Sequence, residues 1–263
     1  MQEIFPGAWR GVWSEKNALG GNMALGFAIM GAAAMLNPQR RFMWWGFAGL
    51  ALLLTLMSTS KTSLVALILG LGGLVFVAIV RRGPATRVAV LWLAIVAAGM
   101  GLGVVLFAAD VIFDILGKDA TLTGRTEIWA AAMTQIQSRP WTGFGFGVVW
   151  DDLGPWAPLA QMTRDAGFTP QHAHNSWIEQ WLGMGILGLA AFALLYAQTL
   201  ILAGVALFRD KGAYLAAPFL IVYSLMTITE SIAVTYNDFR WVLFLAIAVK
   251  LAWPDREIEA RRG

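Results

Sequence analysis

Seven apolar runs divide the chain, at residues 18–36, 42–58, 63–80, 88–109, 184–207, 214–230 and 239–252. Their continuity is the signal, since about 20 helical residues cross the hydrocarbon core of a bilayer. Each run predicts a membrane-spanning helix, the last one short. The expected fold is an all-α polytopic bundle of about seven spans. One long polar excursion, residues 110–183, separates the fourth run from the fifth, and is expected to hold short amphipathic helices.

The connections set an orientation. "NPQRR" (37–41), "RRGPATR" (81–87), "FRDKG" (208–212) and the tail from Lys250, with Arg256, Arg261 and Arg262, hold 11 of the 19 lysines and arginines. They fall on alternate ends of successive spans, so all four share one side, which the positive-inside rule makes cytoplasmic. The loop 110–183 is then extracytoplasmic. Residues 1–17 fall outside as well, with neither the basic start, apolar stretch nor cleavage site of a secretory signal. The expectation is one membrane domain over 1–263 that lacks an upstream group of spans.

Composition agrees: 58% hydrophobic, 13% charged and a mean hydropathy of +0.65 lie outside the soluble class. A net charge of +3 forms no basic stripe, so nucleic acid is not an expected partner. Zero cysteines and two histidines exclude a disulfide framework and thiolate metal sites, and no metal site is expected. His172 and His174 could share an ion only with a third ligand that the sequence does not offer. No internal repeat or low-complexity linker is present.

Chemistry is therefore sought in the loop. "LTGRTEIWAAAMTQIQSRPW" (122–141) predicts an amphipathic helix along the membrane surface, with Ile128, Trp129, Ala132, Met133 and Ile136 on one face and Pro140 at its end. "GFGFG" (143–147) lacks the order and the lysine of a phosphate-binding loop. It predicts a close backbone turn against a helix, with phosphate cradling as the alternative. In "QHAHNSWIEQW" (171–181), Ser176 and Glu179 fit a capping box, so a helix should begin at Ser176. Trp177 and Trp181 then form an interfacial aromatic face, or a platform for sugar or lipid.

His174 and Asn175 precede that helix. Its free N–H groups favour an anion nearby and disfavour imidazolium. A neutral imidazole beside an anion site suits a general base acting on a hydroxyl; a plain hydrogen bond to a loop carbonyl is the alternative. His172, two positions earlier, is expected to point elsewhere. Arg125 stands at the predicted start of its helix, where a cation opposes the dipole. An anionic ligand, Glu127 or solvent would resolve that. Lys61, in "STSKTS", is a weaker candidate for phosphate, because membrane-adjacent charge is costly unless solvated or paired.

Together, "GRTEIW", "PWTGFGFG" and "HNSWIEQWLGMGILG" resemble the O-antigen ligase and Wzy-type polysaccharide polymerase family of bacterial membrane glycosyltransferases, in particular exopolysaccharide polymerases of the ExoQ type. The family pattern of His, then Asn, Ser or Gln, nine residues, Gly, two residues and a small residue or Tyr is met by His174, Asn175, Gly185 and Gly188. "GVWSEKNALGG" (11–21) and "MSTSKTSLVAL" (57–67) are similar to two further family segments, although the second usually carries Arg where this chain has Lys61. Lysine offers a point charge in place of a planar fork.

The resemblance implies a multi-pass protein of the bacterial inner membrane with its site facing the periplasm. Its donor would be a polyprenyl-diphosphate-linked glycan, and its acceptor a hydroxyl of another glycan or lipid-linked glycan. Neither cofactor, nucleotide sugar nor metal is implied. Membrane lipid would surround it, and other polysaccharide assembly proteins could be partners. His174 would be the catalytic base, with Arg125, Lys61, Asn175 and Glu179 binding substrate; Glu179 is also expected to cap its helix and orient His174. The alternatives are a ligase that uses lipid A-core as acceptor and a non-catalytic flippase or transporter of the same lipid-linked glycan.

Overall fold

The computed structural model describes residues 7–13, 15–107, 120–151, 154, 157–208 and 212–253. Among them the regular elements are a 3-10 turn at Pro38–Arg40 and ten α-helices, with no strand. In chain order these are α1 (Lys16–Leu36), α2 (Arg41–Met57), α3 (Lys61–Val80), α4 (Pro84–Phe107), α5 (Ala120–Ser138), α6 (Val148–Asp151), α7 (Pro158–Ala166), α8 (Ser176–Ala206), α9 (Ala213–Thr229) and α10 (Phe239–Ala252). Each of the seven predicted runs coincides with a helix, the fourth as far as Phe107. Three helices, α1, α3 and α8, are long and apolar enough to cross a membrane. The first part of the predicted loop and the basic tail lie outside the described residues, as do Arg209 and Lys211. The chain divides into two compact units, Met1–Ala78 with Leu194–Gly263, and Ile79–Ala193.

In the first unit the packing surfaces are built from small residues. Gly20, Ala24, Ala28 and Ala32 of α1 recur every fourth position and are buried, so they form one stripe. Helix α3 comes close there: a β-carbon at its Gly70 would stand 3.3 Å from Ala28 Cβ and 3.8 Å from the Ala24 carbonyl oxygen. Helix α2 packs along α1, burying Ala48, Ala51 and Thr55 and exposing Phe42, Trp45, Phe47, Leu50, Leu53 and Leu56. This inverts the pattern of a soluble helix. Lipid tails are as apolar as leucine, so helices in a bilayer gain from close contact of small residues and leave the large ones outside. Tyr223 of α9 stacks on Phe219 and on Phe244 of α10, with ring centroids 5.4 and 4.9 Å apart.

Hydroxyls finish the turn between α2 and α3. Ser58 Oγ donates to the Thr55 carbonyl at 2.7 Å and accepts from the Ser60 N–H at 3.3 Å. Ser60 Oγ in turn accepts from the Ser63 N–H and hydroxyl, at 3.3 and 2.9 Å, which caps α3. Lys61 follows the cap and is exposed.

In the second unit the predicted apolar face of α5 is buried in protein. Ala131, Ala132 and Ile136 join Val149, Met162 and Leu182 in one core, with Met133, Trp150, Ile178 and Trp181 packed against it. Helix α8 is not straight. Trp177 and Phe192 stand fifteen positions apart, about 22 Å along a straight helix, yet their ring centroids are 4.7 Å apart. The chain doubles back at Gly185, whose φ of 66° and ψ of −169° are non-helical. Two signals in the sequence, a cap at Ser176 and an apolar run from residue 184, thus mark the starts of two arms. The arm from 186 to 206 rises about 31 Å, which alone matches the hydrocarbon core.

Candidate functional site

The break in α8 receives the glycine loop. A helix that stops at Gly185 leaves carbonyls and N–H groups without their usual partners, and residues 140–145 supply replacements. Phe144 N–H donates to the Leu182 carbonyl at 3.0 Å and Gly145 N–H to Gly183 at 2.8 Å, while Ile186 N–H donates to Pro140 at 2.8 Å. The Trp181 indole also donates to Pro140, at 3.2 Å. The loop is therefore the close turn predicted from its glycines. The N–H groups of Phe144 and Gly145 are spent on α8 and are not open to a phosphate.

Ahead of α8, the histidine loop is held at Ala173, which is fully buried. Its N–H donates to Glu179 Oε1 at 2.7 Å, and its carbonyl accepts the Trp129 indole N–H of α5 at 2.7 Å. The second Glu179 oxygen accepts the Trp150 indole N–H at 2.9 Å. One carboxylate thus ties the loop to the helix it precedes and to α6. On either side of this anchor stand the histidines, half-buried, with ring centroids 3.8 Å apart. His172 does not point elsewhere, as the sequence suggested: its Nδ1 accepts the His174 backbone N–H at 3.2 Å.

The cap of α8 also differs in detail. Asn175 Oδ1 accepts from the N–H groups of Trp177 and Ile178, at 2.9 and 3.2 Å. Asn175 is the capping residue and Ser176 the first helical one. Glu179 still reaches back, as in a capping box, but to Ala173. Trp177 rests on Phe192 rather than standing open as a sugar platform.

Arg125 lies in α5, which begins at Ala120, so it sits past the first turn and the predicted conflict with the dipole is small. Burial is the more telling property, since only 9% of Arg125 is exposed. A buried guanidinium remains charged and binds acceptors through a planar fork. Arg125 and Trp129 are four apart, hence on one face of α5, and Trp129 is the residue that holds Ala173. Arg125 thus lies one turn before the residue that anchors the histidine loop. Lys61 belongs to the other unit. Among the described residues no group of three or more His, Cys, Asp or Glu could hold a metal ion.

Sequence reasoning missed Trp129 and Trp150 as supports of the loop, and His172 as a contact of His174. The two indoles reach Ala173 of the loop and Glu179 of α8 across sequence separations of 44 and 29 positions, which a periodicity argument does not see. His172 did leave a local signal: a side-chain acceptor two residues before an N–H is the spacing of an Asx turn.

A family model described as O-antigen ligase matches residues 46–193, more than half of the chain. That span contains Lys61, Arg125, His174, Asn175 and Glu179. The chain is also similar to the exopolysaccharide production protein ExoQ of Rhizobium meliloti (strain 1021), with 33% identity over 192 residues. The match covers 68% of this chain and 43% of that relative, so the chain spans less than half of the relative's length.

Proposed function

The chain belongs to the O-antigen ligase family, and we propose that it is a membrane glycosyltransferase that polymerises exopolysaccharide or O-antigen. The donor is a glycan on polyprenyl diphosphate. The acceptor is a hydroxyl of a second glycan, itself lipid-linked or part of the growing polymer. The observation that carries this reading is the anchored histidine loop at the start of α8, held by an α5 indole one turn after a buried arginine.

In this mechanism His174 removes the acceptor hydroxyl proton as the oxygen attacks the anomeric carbon. The bond from that carbon to the diphosphate oxygen breaks, and polyprenyl diphosphate leaves with the bonding pair. Arg125 holds the diphosphate and offsets the charge that develops on the leaving oxygen. Glu179 and Asn175 hold the loop and the helix start that carry His174. The residues present carry this acid–base and electrostatic work themselves, so the reaction is proposed to be metal-independent.

These roles place the loop in the periplasm, on a multi-pass protein of the bacterial inner membrane with about seven spans. Reporter fusions at Arg82 and Lys211 are expected to read cytoplasmic, and one at Asp152 periplasmic. A cytoplasmic signal at Asp152 would overturn the site's placement.

The function is tested in proteoliposomes that carry lipid-linked glycan donor and acceptor, in the presence of EDTA. The wild type is expected to lengthen the glycan and release polyprenyl diphosphate. Arg125→Lys is expected to lose most of that activity, because the charge stays and the fork is lost. Full activity of Arg125→Ala would return Arg125 to a structural role. Transport of the donor without any new glycosidic bond would favour the flippase, and transfer to lipid A-core alone would favour the ligase.

A further inference from the structure

The family motif starts at His174 and leaves His172 outside it, and no role above uses His172. Its placement is nonetheless specific. The two imidazoles lie with centroids 3.8 Å apart and planes tilted by 50°, and His172 Nδ1 accepts the His174 N–H at 3.2 Å. Accepting requires a lone pair on Nδ1, so a neutral His172 carries its proton on Nε2.

The bond has the form of the turn that Asn and Asp side chains make to the N–H two residues on. It acts on backbone that needs holding. His174 has a φ of 50°, in the left-handed region that residues other than glycine seldom occupy, although Asn, Asp and His are enriched there. The bonds from Glu179 and Trp129 act on Ala173. The His172 bond acts on the His174 amide itself, and its ring stands against the side chain that carries the chemistry.

We propose that His172 is a positioning residue for glycan transfer: its Nδ1 locks the His174 backbone in the left-handed turn that aims the His174 imidazole. The proposal rests on the reading of His174 as the base. A base displaced by about 1 Å loses much of its rate advantage, so the lock acts on turnover rather than on substrate affinity.

Three substitutions separate the components. His172→Asn places Oδ1 where Nδ1 stood, which keeps the acceptor and removes the ring's acid–base chemistry. His172→Phe keeps a ring and removes the acceptor, and His172→Ala removes both. In full-length protein in lipid nanodiscs, the His174 amide is expected to be protected from hydrogen exchange in the wild type and in His172→Asn. It should exchange about tenfold faster in the other two, as one lost hydrogen bond predicts.

In the transfer assay His172→Ala and His172→Phe should lower kcat about tenfold at unchanged KM, while His172→Asn stays within about threefold of wild type. An unchanged amide in His172→Ala would overturn the lock. An inactive His172→Asn with a protected amide would overturn positioning in favour of a direct chemical role for the imidazole. A wild type inert in transfer would remove the base reading and with it the lock's catalytic purpose, while the exchange pattern would still decide whether the lock exists.

Discussion

Replacement of His174 by alanine is expected to lower the transfer rate by about 10²–10⁴-fold, the usual worth of a general base, with the protein still inserted and folded. The size follows from its placement. The side chain is half-buried and lies outside the core built on Ala131, Ala132, Ile136, Val149, Met162 and Leu182. Its removal leaves that core intact, and Ala173 keeps its bonds to Glu179 and Trp129. The backbone is the one complication, because alanine fits the left-handed φ of 50° poorly. His174→Asn controls for this, since asparagine tolerates that conformation and cannot serve as the base. Both variants are expected to be equally inactive in the reconstituted assay, His174→Asn at wild-type thermal stability and His174→Ala somewhat below it. Activity in His174→Asn comparable to wild type would remove the base assignment.

The helices were legible in the sequence because a bilayer makes a simple demand. Apolar runs of the right length stood out without any alternation, and each coincides with a helix. Two features of the loop were legible for local reasons: Pro140 stops α5, and the glycines of 143–147 mark a turn. The distribution of exposure within the spans was not legible. Large residues on α2 face outward and small ones inward, and composition alone does not assign faces when a helix is apolar all round. The start of α5 was read two residues late, at 122 instead of Ala120, because the apolar periodicity that marks the helix begins only at Ile128. The fold at Gly185 was hidden for a different reason. "WLGMGILG" reads as continuous helix, and the break exists only because another segment, residues 140–145, completes its hydrogen bonds.

That break carries the second large effect, and Gly185→Ala is expected to lower stability by about 2–6 kcal/mol and to abolish transfer. Two costs add. A φ of 66° with a ψ of −169° lies in a region that is essentially glycine-only, worth about 1–3 kcal/mol in strain. A β-carbon there would also stand 2.2 Å from the Trp141 carbonyl oxygen and 2.5 Å from the Thr142 nitrogen. Both are backbone atoms, which cannot rotate away, so overpacking adds about 1–3 kcal/mol. Relief requires residues 140–145 to leave the break, which removes the bonds from Ile186 to Pro140 and from Gly145 to Gly183. The short arm bearing Glu179 then loses its fixed direction, and the histidine loop loses its support from ten residues away. Gly204→Ala is the control, since a β-carbon at that position of α8 meets nothing within 4 Å; its thermal midpoint in detergent should stay at or slightly above wild type. Gly143 faces the same contact from the other side, where a β-carbon would stand 2.6 Å from Gly183 and Gly185 backbone atoms. Gly143→Ala and Gly185→Ala therefore disrupt one packing event, and the double variant should cost less than the sum of the singles. Strict additivity, or a Gly185→Ala protein as stable as wild type, would show that α8 does not fold back at this residue.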